Sequence, residues 1–329
     1  MAYPLALLLV VAAFRLVGER WWVTTVGLYL PRPGFALPLP VLTLALLLGR
    51  AYRWLLTQIA AIVIVLFPLM GLHLSGPVTA AAGARRLRVV TLNINNGASG
   101  ANNVREQLRG TGADLILLQE AAHVREDVLR VALPGYFFHK VSQFTVASRY
   151  PITDAFVPPS VTEGDTARSL RYVRYRIQTP SGPITVYNMH PISPRDALDE
   201  LRGEGLRHEI ASGRFLRPSW RQVPVNAQHR LIQVQAVVDD ARRSDLPVII
   251  AGDTNLPEGS WALGHWLGAY QDGFAERGRG LGYTFPATNR PWMRIDRILA
   301  GAGFRFLDCV VLRAPVSDHF GVMADLEIL

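Results

Sequence analysis

The chain has 329 residues, with 34 basic against 26 acidic side chains, a net charge of +8, half of its residues hydrophobic and a single cysteine, Cys309. One cysteine excludes an internal disulfide framework. Residues 1–84 hold five arginines and one acid, Glu19, so half of the net charge lies in a sparsely charged N-terminal region and the rest of the chain is nearly balanced, which argues against a broad basic surface for nucleic acid.

Crossing a bilayer takes ~20 apolar residues. Tyr3–Val17, interrupted by Arg15, Phe35–Gly49, and Trp54–Leu74, which contains no Asp, Glu, Lys or Arg, are the candidate spans. Pro68 inside the third is tolerated in a membrane helix. Trp21, Trp22 and Tyr29 read as an interfacial belt, and Arg50 and Arg53 favour an inside loop between the second and third spans. The small residues of "GPVTAAAGARR" resemble an export signal. The organisation expected is a membrane region over 1–74 with about three transmembrane helices, a flexible linker over 75–86 and a globular domain over 87–329. The protein is then a multi-pass cell-membrane protein with its globular domain outside.

From Leu87 the pattern changes. "RLRVVTLNIN" is a strand, "NNVREQLRG" a short polar helix, and "ADLILLQE" a buried strand ending on Glu120. "FTVASRYPI", "LRYVRYRIQ" and "PITVYNMH" are strands, the middle one alternating apolar and basic residues. Residues 195–210 and 228–243 read as helices, the second amphipathic through Leu231, Val234, Val237 and Val238. "PVIIAGDTN", "MRIDRILAG", "FRFLDCVVLR" and "HFGVMADLEI" complete the strands, and Cys309 is a buried thiol. Strands with few tight hairpins favour α+β layering.

Several of these strands stop on a polar or titratable residue: Asn93 and Asn95, Glu120, His190, Asp253 and Asn255, Asp296, Asp318 and His319. An acid at the end of a buried strand needs a partner. The motifs "TLNINNG", "LLQE", "SRYPI", "YNMH", "GDTN", "RIDRIL" and "SDH", in that order over residues 87–329, resemble the endonuclease/exonuclease/phosphatase superfamily of Mg-dependent phosphoesterases. The resemblance implies a four-layer α/β/β/α sandwich. It implies Mg²⁺, with Mn²⁺ as the alternative, on Glu120 as principal ligand, with Asn93 and Asp318 contributing directly or through water. Such a hard cation prefers oxygen donors and retains waters.

By the same resemblance Asp253 orients or deprotonates the attacking water and Asn255 donates to a phosphoryl oxygen. Asp296 holds His319 in its reactive tautomer, His319 takes part in proton transfer or phosphate binding, and His190 contacts phosphate or assists the leaving group. Asn95 stands where many relatives carry Asp. Asn95, Asn188 and Arg149 are the substrate-binding candidates. His123, His139, His208, His229 and His265 have no motif context.

The segment 195–221 carries Arg195, Arg202, Arg207, Arg214, Arg217 and Arg221 with Phe215 and Trp220, and reads either as a solvated helix and loop or as a lid gripping a charged headgroup. The whole layout, with "GERWW", resembles actinobacterial membrane hydrolases linked to teicoplanin resistance. That implies a lipid-linked (pyro)phosphate substrate such as undecaprenyl pyrophosphate, with the bilayer as partner. The alternatives are a phospholipase C- or sphingomyelinase-like phosphodiesterase, then a nuclease, and, outside enzymes, a membrane scaffold on an inactive hydrolase fold.

Overall fold

The computed structural model describes residues 2–159, 171–199, 219–288, 290–314 and 316–329. Arg202, Arg207, His208, Arg214, Phe215 and Arg217 of the insertion lie outside the described residues. The strands of the two main sheets are β1 (Arg85–Asn93), β2 (Leu115–Gln119), β3 (Phe137–Val141), β4 (Phe144–Ser148), β5 (Ile152–Phe156), β6 (Tyr172–Thr179), β7 (Gly182–Met189), β8 (Val248–Asp253), β9 (Gln271–Asp272), β10 (Asp296–Ala300), β11 (Phe304–Leu312) and β12 (Gly321–Ile328). One six-stranded sheet runs β11-β12-β1-β2-β4-β3, the other β9-β10-β8-β7-β6-β5.

Period two in the strands builds the layers. Leu87 and Val89 of β1, Leu115 and Leu117 of β2 and Phe144 and Val146 of β4 join Val173, Tyr175, Ile184, Val186, Ile249 and Ala251 of the other sheet in one core. The alternate residues Val90, Leu92, Ile116 and Leu118 face away, into a second core with Val104 and Leu108 of helix Ala101–Thr111 and Leu129 of helix Glu126–Ala132. Strands buried on both faces therefore read as unbroken apolar runs. Each fully buried Leu, Ile or Val contributes about 1.5–3 kcal/mol. On the outer face of the second sheet, Asp240 of helix Ser219–Ala241 accepts from Arg174 Nη1 of β6 at 2.8 Å. The α+β sandwich expected from the sequence is present.

Pairing decides what meets what. β1 and β2 are parallel, with Asn93 opposite Gln119. β7 and β8 are parallel, with Met189 opposite Gly252. Parallel partners end on the same side, so Asn93 and Glu120 emerge together, as do His190 and Asp253. β10 runs antiparallel to β8 with Asp296 opposite Asp253, and β12 antiparallel to β1 with Val322 opposite Thr91. The starts of those two strands, and the "SDH" turn just before β12, therefore lie at the same sheet edge.

The chain divides into two compact units, and the division is discontinuous. The sandwich unit is His73–Ile192, Ile232–Asn255 and Trp266–Leu329; the helical unit is Met1–Leu72, Ser193–Leu231 and Leu256–His265. The linker expected over 75–86 is tied down at its start. His73–Leu74 pairs antiparallel with Arg279–Gly280, and Val78 N–H donates to Leu307 O at 2.8 Å.

The membrane expectation changes in number. Among the described residues one helix, Tyr52–Leu69, is long and apolar enough to cross a membrane, or two if Trp22–Leu28 and Arg32–Leu48, bent by 94°, count as one span. The first expected span is the 15-residue helix Ala2–Leu16, which stops before Gly18 with its φ of +52°. The second contains only the 11-residue helix Pro38–Leu48. Leu5, Leu8, Leu9, Leu37, Val41, Leu44, Leu56 and Ile59 are nonetheless exposed on these helices. Trp21 and Trp22 are exposed too, but Tyr29, expected beside them at an interface, is buried, with the Arg230 guanidinium 5.5 Å from its ring centroid.

Candidate active site

The polar strand ends converge. Asn93 Nδ2 donates to Glu120 Oε1 at 2.9 Å and to Asp253 Oδ2 at 3.3 Å. His190 Nε2 lies 3.5 Å from Asp253 Oδ2 and 3.7 Å from Glu120 Oε1. His319 Nε2 lies 3.7 Å from the same Asp253 oxygen. His319 Nδ1–H donates to Asp296 Oδ2 at 2.9 Å, with the Phe285 ring tilted against the imidazole at 4.7 Å between centroids. Asn255 N–H donates to Asp253 Oδ1 at 2.9 Å and Asn255 Nδ2 to Pro191 O at 3.0 Å. Asp253 is thus the hub of the site.

Backbone conformation accounts for the residue types around it. Gly252 has a φ of +144°, and a Cβ there would lie 1.9 Å from Met189 O on the neighbouring strand, so "GDTN" must open on glycine. Asn95, Glu120 and Asn255 are non-glycine residues in the left-handed region, at φ +43°, +49° and +50°. Such backbone costs roughly 1–3 kcal/mol per residue and is retained where the surroundings over-determine it. At Glu120 the turn is tied on both sides: Asn96 N–H donates to Glu120 O at 2.7 Å and Ala121 N–H to Gln143 O at 2.8 Å.

The other expected residues stand as follows. Asp318 is half-buried, and Ser317 Oγ donates to its Oδ1 at 3.3 Å. Asn95 is half-buried and is joined to Asn93 Oδ1 through its backbone N–H at 3.0 Å. Asn188 is not placed to receive substrate. It is fully buried, takes Gln119 Nε2–H on its Oδ1 at 2.6 Å and donates from Nδ2 to Leu118 O at 3.0 Å, bracing one sheet against the other. Arg149 lies at the opposite end of its sheet: β4 runs antiparallel to β2, so Arg149 meets Asp114, before β2, with Nη1 3.4 Å from its Oδ1, while Glu120 follows that strand. Arg294 and Arg297 pair with Asp272, at 2.7 and 2.5 Å, rather than with Asp296.

Sequence reasoning missed Gln143. Its Oε1 accepts from His190 Nδ1–H at 2.7 Å and so aims Nε2 at the carboxylates. Gln143 sits in the turn between β3 and β4, outside every motif, and only strand pairing reveals it. Thr284 was also missed; its Oγ1 accepts from Ile295 N–H and Asp296 N–H at 3.2 and 3.3 Å.

Electrostatics sort the site into two parts. Burial works against the charge of Asp253, but the His319 imidazolium and the His190 ring facing its Oδ2 prevail and hold its pKa at about 2. Burial raises Asp296. Burial also opposes charge on His319, yet Asp296 and Asp253 together push its pKa up to about 10. Oxygens of Asp253 and Asp296 and a ring nitrogen of His319 lie within 4.8 Å of one another, but a protonated imidazole is not a metal ligand. The Glu120 side fits a cation better. Its side chain is 32% exposed, and among the described residues neither Glu120 nor Asp253 pairs with an arginine or lysine. A half-exposed carboxylate with no arginine or lysine beside it suits a divalent cation.

The raised His319 carries a signed pH prediction. A folded pKa of about 10 against 6.5 for a free imidazole means that its stabilisation is complete below pH ~6.5 and is lost as pH rises through ~10. In EDTA-treated protein the melting temperature should fall across that window, and His319→Gln should flatten the slope. An unchanged slope in the variant would refute the cationic assignment.

Among solved structures the chain is similar to an endonuclease/exonuclease/phosphatase from Bacteroides vulgatus, at 18% identity over 74% of this chain and 100% of that one, with a TM-score of 0.56. It is similar to a mannosyl-6-phosphatase from Bacteroides thetaiotaomicron VPI-5482, at 18% identity over 73% and 99% of the two chains and a TM-score of 0.54. It is similar to D. rerio TDP2 complexed with a single-strand DNA product, at 17% identity over 73% and 98% and a TM-score of 0.54. At these identities the likeness is one of fold. No curated protein matches the chain by sequence. The model of the Endonuclease/Exonuclease/phosphatase family matches residues 90–319, from the interior of β1 to the histidine of the "SDH" turn, and so takes in every polar strand end that meets at Asp253. The chain belongs to that family of metal-dependent phosphoester hydrolases.

Proposed function

We propose that the protein is a membrane-anchored, Mg²⁺-dependent phosphoester or diphosphate hydrolase acting on a lipid-linked (pyro)phosphate, of the undecaprenyl pyrophosphate type, at the outer face of the cell membrane. The observation that carries the hydrolase reading is Asp253 at the centre of Asn93, His190 and His319. The lipid reading is supported by the apolar side chains exposed on the N-terminal helices, because a lipid anchor keeps enzyme and lipid substrate on one surface.

Glu120, with Asn93 and Asp318, would hold the cation, which when bound supplies charge neutralisation at the phosphoryl oxygens. Asp253, anionic throughout the neutral range, accepts a hydrogen bond from the attacking water and orients it. The His319 imidazolium, held by Asp296, directs Nε2–H toward the side of Asp253 where a phosphoryl oxygen gains charge, and His190, held by Gln143, presents Nε2 to the same Asp253 oxygen. Asn255 is fixed beside them. Water oxygen bonds to phosphorus and gives its proton to Asp253, the P–O bond to the leaving group breaks, and that oxygen takes a proton from the His319 imidazolium.

The test is purified full-length protein in detergent against lipid pyrophosphates, phosphodiester lipids and plasmid DNA, each with Mg²⁺ and with EDTA. Phosphate release from the lipid pyrophosphate in Mg²⁺, abolished by EDTA, is expected. Cleavage confined to the phosphodiester lipid or to DNA would replace the lipid-pyrophosphate reading.

A further inference from the structure

The segment Leu256–His265 continues the chain directly from Asn255 and is part of the helical unit. N-terminal residues from three places grip it. Glu19 is buried at 3% exposure; Ser260 Oγ–H donates to its Oε1, and Trp261 N–H donates to its Oε2 at 3.1 Å. Gly18, at φ +52°, packs so close that a Cβ would lie 2.5 Å from Trp261 Cβ, and the Arg20 guanidinium lies 4.5 Å from the centroid of the Trp261 ring. Arg32, also buried, donates from Nη2 to Glu258 O at 3.2 Å. A Cβ on Gly71, at φ +71°, would lie 2.9 Å from Glu258 Cγ.

A buried carboxylate is costly unless it is hydrogen-bonded. Each oxygen of Glu19 accepts a hydrogen bond from this segment, so its burial and the seating of the segment depend on each other. A helix that served only to hold the protein at a membrane would need no such acid. Upstream, Asn255 holds left-handed backbone, and only residues 256–259 separate it from Ser260. The intervening turn is closed by Ser260 N–H donating to Pro257 O at 3.1 Å. Such backbone persists only where the chain on both sides is held.

We infer that Glu19 is a positioning residue for hydrolysis. By gripping Ser260 and Trp261 it fixes the chain leaving Asn255, and with it the left-handed turn that carries Asn255 past Asp253. The inference rests on the reading of Asn255 and Asp253 as catalytic.

The experiment uses the full-length protein in detergent on whichever substrate of the panel it turns over. Glu19→Gln keeps shape and volume but replaces one acceptor oxygen with a donor. Its kcat should fall about tenfold or more, since small misplacements in a reaction centre cost that much. KM should stay within about twofold, and amide exchange at Trp261 should quicken. Asp253→Asn is run alongside. If Asp253→Asn is inactive while Glu19→Gln keeps the wild-type kcat, or changes only KM, the positioning role is overturned and the site reading stands. If Asp253→Asn keeps wild-type turnover, or the wild type turns over nothing, the site reading falls and takes this inference with it. Should Glu19→Gln not fold, Ser260→Ala removes the hydroxyl partner alone. A fall in its kcat at constant KM supports the role, and an unchanged kcat overturns it.

Discussion

Replacing Asp253 by alanine should lower kcat by roughly a thousandfold or more while the sandwich stays folded. The size follows from what the carboxylate touches. Its Oδ2 accepts from Asn93 and faces Nε2 of both His190 and His319, and its Oδ1 receives the Asn255 N–H. With a pKa of about 2 it is an anion at every working pH. Deleting it removes the water-orienting acceptor and the charge that both Nε2 atoms face. Asp253→Asn keeps the volume and should lose nearly as much, because the charge rather than the shape does the orienting. Steady-state hydrolysis with circular dichroism on the same samples reads the effect. Turnover within tenfold of wild type, in a folded variant, would remove Asp253 from the mechanism.

The second large effect is on stability and lies away from the chemistry. Asp272→Asn should destabilise the sandwich unit by about 3–5 kcal/mol, the cost typical of breaking a buried ion pair from one side. Arg294 and Arg297 are both buried, and both donate to this one carboxylate. The same carboxylate caps helix Gly273–Arg277, accepting from Phe274 N–H and Ala275 N–H at 3.1 and 3.3 Å. Burial opposes its ionisation, but the two guanidinium groups hold its pKa far below the usual carboxylate range. The melting temperature should drop by roughly 10 °C, at about 2–4 °C per kcal/mol for a domain of this size. A shift under 2 °C would mean that the arginines are satisfied without it.

The "RIDRIL" strand serves both groups. Asp296 and Arg297 are neighbours on a strand and point to opposite faces. Asp296 meets His319 in the site, and Arg297 turns to Asp272. A sequence reader sees an acid flanked by arginines and can equally pair it with them; the pleat of the strand decides otherwise.

How much was legible before any coordinates follows the same logic. The residues at strand ends were readable, because an apolar run that stops on Asn, Glu, His or Asp is improbable without a partner, and seven motifs in order name a family. Asn93, Glu120, His190, Asp253, Asn255, Asp296 and His319 come from that signal, and the structure gathers them. Arg149 and Asn188 were chosen for standing in or beside motifs. Antiparallel pairing carries Arg149 to the far end of its sheet, and the sheet-to-sheet packing claims both ends of the Asn188 amide. Gln143 could not be found, because its role depends on which strand end its turn lies beside.

The N-terminal region shows the same limit. Hydropathy marks where the chain is apolar, so it located the stretches, but helix length depends on local breakers. Gly18, Pro38 and Gly49 leave two of the three stretches short. Hydropathy is also blind to partners far along the chain. The single acid of that region, Glu19, stands beside Arg20 in the sequence. Only folding brings it to Ser260 and Trp261, 241 and 242 positions away.

The order of amino acids by itself determined the family, the α+β class and most of the polar groups at the strand ends, because burial of strands and the chemistry of their exits are local properties of sequence. The tertiary structure alone decided which side chains orient those groups, which arginines are structural and what the N-terminal helices hold. Those depend on strand register and long-range pairing, and neither is written in any short stretch of the chain.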